Sequence, residues 1–226
     1  MWCYNVYELR EVTKVMGKSV YSVVLNDELV GLLDRVAVKN GVSRSVMLNK
    51  IMAEYLTVET PELKIENIFS EVEKLINESD ALRFISQPSL TMASIKSALC
   101  YRYSPTVRYS FELFENSDAL GQLKVTLRTQ NPDLIKLVNE FFGFFVSMEI
   151  KYTGEAQYNI ENGKLIRILR KPETPLTAAE LGEGITVYVR LLDKIMNLYF
   201  NNLGNAGAIP VMEKIYRENL AKTYLI

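Results

Sequence analysis

A short run of small, polar and basic residues, Gly41-Val42-Ser43-Arg44-Ser45, precedes a segment that is predicted to be helical. Ser43 is a favourable N-cap, because its hydroxyl can accept a hydrogen bond from a free amide of the first helical turn. The other free amides and the positive end of the helix dipole attract an anion such as phosphate. Arg44 adds a full positive charge. We therefore expect Ser43, Arg44 and Ser45 to form an anion-binding turn.

A strand and two helices are predicted to position this turn. The segment Ser19–Leu25 is rich in β-branched and aromatic residues, which favours a strand. The pair Asn26-Asp27 then supplies an N-cap for a helix that ends at Asn40-Gly41, where glycine accepts a left-handed conformation. The apolar residues that follow Ser43 recur at helical spacing and predict a second helix from Arg44 to about Leu56.

These three elements are too small to bury their own apolar side chains. A single strand exposes both edges, and one pair of helices leaves an apolar face open. Two copies of the chain remove both problems, because the strands can pair into a two-stranded antiparallel ribbon and the four helices can close around one shared core. The sequence therefore predicts that residues 18–57 form a homodimer.

The stretch Val20–Leu56 resembles the ribbon-helix-helix superfamily of DNA-binding proteins, which includes the Arc and Met repressors. The resemblance is carried by three segments: Val23–Leu29, Gly41–Ser45 and Glu54–Leu56. In that family the ribbon enters the major groove of double-stranded DNA, and its outward side chains contact base edges. The resemblance implies a sequence-specific transcriptional regulator, a repressor, that acts as a homodimer.

Alternation along the ribbon decides which side chains face the DNA, because neighbouring residues of a strand point to opposite faces. Leu25 leads into the apolar side of the first helix, so Tyr21, Val23 and Leu25 are expected to face the core. The outward residues, which would face the bases, are Lys18, Val20, Ser22 and Val24.

The two outward valines depart from the family, whose members usually carry polar side chains there. Valine offers only apolar contacts, for example with thymine methyl groups. Two alternatives stay open. Either the protein binds DNA through phosphates, DNA shape and Lys18, or the ribbon faces another protein surface or the chain's own N-terminal segment and contacts no bases.

Composition limits the chemistry further. The chain has 226 residues and no histidine, which excludes the usual catalytic triads and two-histidine metal sites. Two cysteines are too few for an ordinary zinc site. We therefore expect no enzymatic activity, no metal and no cofactor. The net charge of −1 predicts weak binding to bulk DNA. No apolar run is long enough for a membrane span, so we expect a cytoplasmic protein without a membrane partner.

The rest of the chain divides into an N-terminal arm (residues 1–17), a hinge (Thr57–Pro61) and an α+β domain (residues 62–226) with an antiparallel sheet and flanking helices. The clearest local signals are the hairpin turn Asn162-Gly163 and the capping box that begins at Thr177. The predicted helices of this domain are residues 62–79, 90–99, 131–145, 177–200 and 211–224, and the predicted strands are residues 106–114, 120–129, 147–153, 156–160 and 164–169.

Two side-chain clusters in this domain have simple structural explanations. Three tyrosines and two arginines have the composition of a base-stacking patch, but alternation along a half-buried strand explains them as well; they are Tyr101, Arg102, Tyr103, Arg108 and Tyr109. The four phenylalanines between residues 141 and 145 are expected to fill a core or a dimer interface.

Three functions are compatible with these features. The first is a dimeric regulator whose large domain binds a small-molecule or protein effector, or assembles dimers into a higher oligomer. The second is a DNA-binding adaptor for the segregation or assembly of a plasmid or virus. The third is a ribbon-helix-helix oligomer that binds a protein partner and not DNA.

Overall fold

The computed structural model describes residues 19–78, 81–86, 90–115, 117–154 and 157–220. The chain divides into two units, Met1–Thr60 and Pro61–Ile226, and the boundary lies inside the segment predicted to be a hinge. The predicted arm (residues 1–17) and the predicted base-facing Lys18 lie outside the described residues.

The described residues of the first unit, 19–60, form two helices, α1 (Asp27–Lys39) and α2 (Arg44–Tyr55). Asn26 caps α1, since its side-chain oxygen accepts a hydrogen bond from the Glu28 amide at 2.8 Å. Gly41 has a φ of +66° in the turn that follows α1, a conformation that glycine adopts without strain. The predictions of two helices separated by a glycine turn are therefore confirmed.

The predicted strand Ser19–Leu25 is not formed in the single chain, where residues 19–26 have no regular structure. A strand needs a hydrogen-bonding neighbour, and the neighbour that the sequence predicts is the same segment of a second copy. The side chains expected to face the core are consequently exposed, including Tyr21 and Val23. The ribbon therefore stays a prediction about the dimer.

The second unit is an α+β fold with one six-stranded antiparallel sheet, which confirms the predicted class of this domain. The strand order is β1-β2-β3-β4-β6-β5. In chain order the elements are α3 (Pro61–Asn77), β1 (Arg83–Ser86), β2 (Met92–Ala98), β3 (Thr106–Leu113), β4 (Ala119–Leu127), α4 (Pro132–Thr153), β5 (Tyr158–Glu161), β6 (Lys164–Arg170), α5 (Ala178–Asn201) and α6 (Ala208–Leu220).

One face of the sheet packs against helices, as β3 illustrates. Its residues Val107, Tyr109, Phe111 and Leu113 are buried and belong to one apolar cluster that includes side chains of α3, α4, α5 and α6. Three of the phenylalanines in α4 lie in the same core, fully buried. The alternate residues of β3 point away from this cluster. We call the side of the sheet on which they lie the open face.

Two element predictions in this unit are wrong. Residues 92–98 form strand β2 and not a short helix, because alternate side chains, Ala93, Ile95 and Ser97, are buried on the core side while the strand pairs with β3. Residues 147–153 continue α4 and do not form a strand, since Phe141, Phe145 and Met148 extend one buried stripe at helical spacing.

The hairpin turn and the capping box predicted from the sequence are both confirmed. Asn162 and Gly163 have φ values of 48° and 72°, as the predicted hairpin turn requires. In the capping box at the start of α5, the Glu180 amide donates to Thr177 Oγ1 at 3.2 Å, and the Thr177 amide donates to the Glu180 carboxylate at 2.8 Å. Helix α6 begins at Ala208, earlier than predicted. The predicted end of that helix, residues 221–224, lies outside the described residues.

Candidate nucleic-acid interface

The turn before α2 has the geometry of an anion site. Ser43 is the N-cap, with an extended backbone, and its hydroxyl accepts a hydrogen bond from the Val46 amide at 3.3 Å. The amides of Arg44 and Ser45 occupy the first helical positions, which have no partner within the helix. All three predicted residues of the turn are exposed. The first-turn amides of two exposed residues therefore lie at the positive end of the helix dipole, the kind of position that attracts a phosphate.

Asp34, on α1, is a member of this site that sequence reasoning did not identify. The guanidinium of Arg44 donates two hydrogen bonds to the Asp34 carboxylate, each of 2.6 Å. These bonds hold the pKa of Asp34 below its ordinary value. The two residues are ten positions apart, and the turn between the helices brings them together. A phosphate at the turn would therefore compete with Asp34 for Arg44.

The predicted base-facing residues within the segment before α1, residues 19–26, are open to solvent. Val20 and Val24 are 99% and 101% exposed, and Ser22 is exposed as well. Leu25 is 41% exposed, so the side chain nearest α1 is already partly covered. Tyr21 and Val23, which are expected to face inward, are also exposed in the single chain, at 82% and 69%.

The helix pair leaves much of its apolar surface uncovered. Its buried cluster in the described residues consists of Leu33, Ala37 and Met47, with Val42 and Leu48 packed against it. Eight apolar side chains on the two helices remain exposed: Leu29, Leu32, Val36, Val38, Val46, Ile51, Met52 and Tyr55. An apolar surface of this kind on a small unit is typical of an interface with another protein or another copy.

The second unit contains a buried polar cluster around Asp193 of α5. Ser97 and Tyr109 donate hydrogen bonds to Asp193 Oδ1 at 2.5 and 2.8 Å, and the side-chain amide of Asn197 donates to Asp193 Oδ2 at 3.1 Å. Burial raises the pKa of Asp193, which these hydrogen bonds partly oppose. Tyr109 is therefore a core residue, and it cannot belong to the base-stacking patch considered from its sequence neighbours.

A second buried cluster joins α4, β6 and α5. Arg167 Nη2 lies 3.0 Å from Glu149 Oε1, and the Tyr188 hydroxyl donates to Glu149 Oε2 at 2.8 Å. The Arg167 guanidinium also lies over the Tyr188 ring, 4.5 Å from its centroid. Burial raises the pKa of the adjacent Tyr158 to about 12, so its hydroxyl is protonated at neutral pH. The contacts of this cluster connect α4, β6 and α5.

The second unit contains a small apolar groove. Its cavity volume is about 230 Å³, below the usual size of a pocket for a drug-sized ligand. Lys64 donates a hydrogen bond to the Leu176 carbonyl at its edge, at 3.0 Å. The apolar lining comes from α3, the β3–β4 turn, the loop before α5 and α5 itself, and includes Ile65, Ile68, Leu113, Leu120, Leu176 and Leu181.

Within the described part of the chain, no three acidic or cysteine side chains are grouped as metal ligands. None of the helices that the structure describes is long and apolar enough to cross a membrane. Comparison with protein-family models, curated protein sequences and solved structures finds no match to this chain.

Proposed function

We propose that the chain is a sequence-specific DNA-binding protein of the ribbon-helix-helix type, which represses transcription as a homodimer. The observation that carries this proposal is the apolar surface that the helix pair leaves exposed directly after an exposed, β-branched segment. A second copy would cover the apolar surface and give the β-branched segment a partner. Two such segments can pair as a ribbon, and four helices can share one core.

The phosphate-binding turn supports the same proposal. In such a dimer two copies of Ser43–Ser45 flank one ribbon, so that the first-turn amides of each α2 can hold a backbone phosphate on either side of the groove. Arg44 would exchange its bond with Asp34 for a bond with phosphate. Asp34 therefore weakens DNA binding in this arrangement, because it competes for the same guanidinium.

This competition gives a pair of substitutions with opposite expected effects. Arg44→Ala should weaken binding to duplex DNA roughly tenfold at low salt and lower the magnitude of the salt slope by about one for each phosphate that is no longer neutralised. Asp34→Ala should leave binding unchanged or strengthen it, because it frees Arg44. Fluorescence anisotropy with a labelled duplex across a range of salt concentrations measures both effects.

Both substitutions remove the same ion pair, so each is the control for the other. If the pair served only to hold α1 against α2, the two variants would lose stability and DNA affinity to the same extent. Equal loss of affinity in both variants would therefore contradict the phosphate-binding assignment, whereas opposite changes would support it.

The valines of the ribbon test whether the protein contacts bases. Replacing Val20 and Val24 together with alanine should lower affinity for the preferred sequence roughly tenfold or more, because each methyl group buried against DNA contributes about 0.8 kcal/mol. Affinity for random duplexes should stay the same. Val38→Ala is the matched control, since Val38 is also an exposed valine, on α1, outside the proposed ribbon.

A second function is favoured by the same two valines. An apolar outward face is also suited to a protein surface, in which case the ribbon contacts no bases. Unchanged affinity for every duplex after the double valine substitution would favour this alternative over the proposed repressor.

A further inference from the structure

The register of the sheet aligns basic residues from distant parts of the chain on the open face. Arg83 of β1 is paired with Lys96 of β2, and Lys96 is paired with Arg108 of β3. Arg108 is paired with Thr126 of β4, which is paired in turn with Lys164 of β6. One row across five neighbouring strands therefore carries four cations. Since neighbouring strands lie about 4.8 Å apart, the row is roughly 19 Å long.

Two further cations lie on the same face, Lys124 of β4 and Arg170 of β6, at alternate positions of their strands. The acidic residues that the strands place on this face are Glu112 and Glu161, and Glu112 accepts a hydrogen bond from Gln122 at 2.7 Å. Within the described residues, none of the six cations forms an ion pair or a side-chain hydrogen bond with another part of the chain. This face is therefore strongly positive on a chain whose net charge is −1.

The chemistry of this surface selects a partner with regularly repeated negative charge. Aromatic side chains are found on the other side: Phe84, Tyr109, Phe111 and Tyr158 all belong to the core or pack against it. In the strands that the structure describes, the open face thus offers no ring on which an unpaired base could stack. Single-stranded nucleic acids are usually held by such rings together with basic residues. A row of cations without rings is better suited to the sugar-phosphate backbone of a duplex.

We propose that the open face of the sheet is a second DNA-binding surface, which holds the backbone of duplex DNA without recognising its sequence. The choice of DNA as the polyanion rests on the proposed function of the first unit. The consequence is that the protein binds duplex DNA through a surface of each unit, with an affinity that the net charge of the chain does not predict.

The test is a charge reversal within the row, made in the full chain. The double variant Lys96→Glu/Arg108→Glu should bind a random-sequence 30-base-pair duplex at least tenfold more weakly than the unsubstituted protein. The magnitude of its salt slope should fall by about two for each chain, as expected when two phosphates are no longer neutralised. The matched control is Lys136→Glu/Lys194→Glu, which makes the same change of net charge at exposed positions of α4 and α5.

Three outcomes would overturn the inference. The first is equal weakening in the control, which would show that only net charge matters. The second is unchanged binding by the Lys96→Glu/Arg108→Glu variant (the row variant), when thermal unfolding followed by circular dichroism shows that this variant is folded. The third is tighter binding of a single-stranded 30-mer than of the duplex by the unsubstituted protein, which would show that the face holds another form of nucleic acid.

The same assay separates this inference from the proposed function. An Arg44→Ala variant that still binds random duplexes, when the row variant does not, would support the sheet surface whatever the first unit does. A row variant that keeps all binding, when Arg44→Ala loses it, would overturn the sheet surface and leave the proposed function in place.

Discussion

Replacing Glu149 with leucine should lower the free energy of unfolding of the second unit by about 3–5 kcal/mol, because it leaves the Arg167 charge buried without its partner. Glu149 is fully buried and Arg167 is 5% exposed, so water cannot replace the missing carboxylate without a change of structure. The Tyr188 hydroxyl would lose its acceptor in the same substitution. Urea unfolding followed by circular dichroism measures the effect.

The double variant Glu149→Leu/Arg167→Met tests the cause. Removing both charges leaves no unpaired ion, so the double variant should regain most of the stability that either single substitution removes. The loss of unfolding free energy in the double variant could instead equal the sum of the losses in the two single variants. In that case the two charges would not be coupled, and packing alone would explain the losses.

A charged residue on the apolar side of α1 should prevent dimerisation. Leu32 is 47% exposed in the single chain. The proposed dimer would bury this apolar side of α1, so Leu32→Asp would introduce two buried charges by symmetry. We expect the mass measured by light scattering to fall from twice 25.8 kDa to 25.8 kDa, and binding to the preferred DNA sequence to fall at least 100-fold.

Val38→Asp is the control for the dimer, because Val38 is 80% exposed on another side of α1. This variant should keep the mass of the dimer and its DNA affinity. A Leu32→Asp variant that remained dimeric would show that the exposed apolar side chains of α1 are not the interface.

Features that depend on neighbouring residues could be predicted from the sequence. The caps at Asn26 and Ser43 and the turn at Asn162-Gly163 each need only a few adjacent residues to satisfy their hydrogen bonds and dihedral angles. The capping box at Thr177 is satisfied in the same local way. These signals correctly place the starts of three helices, α1, α2 and α5, and one hairpin turn.

Features that depend on distant residues could not be predicted. Residues 92–98 become a strand because β3 pairs with them, and residues 147–153 stay helical because α4 continues its buried stripe. The bond between Arg44 and Asp34 requires the two helices to be in place. The basic row combines cations from β1 to β6, and only the sheet register shows that they form one line.

The predicted ribbon is a third kind of feature, because its hydrogen-bonding partners would come from a second copy of the chain. The sequence predicts a strand at Ser19–Leu25, and the single chain leaves that segment unpaired and exposed. The burial of Tyr21, Val23 and Leu25 therefore stays a prediction for the proposed dimer.

Selection of bound duplexes from a random DNA pool by the full-length protein, followed by footprinting of the enriched sequence, tests the central claim most directly. We expect one short inverted repeat to be enriched, protected in the major groove, and bound at least 100-fold more tightly than random duplex DNA at physiological salt. Enrichment of no sequence at any salt concentration, with the protein dimeric and folded, would contradict the claim that this chain is a sequence-specific repressor.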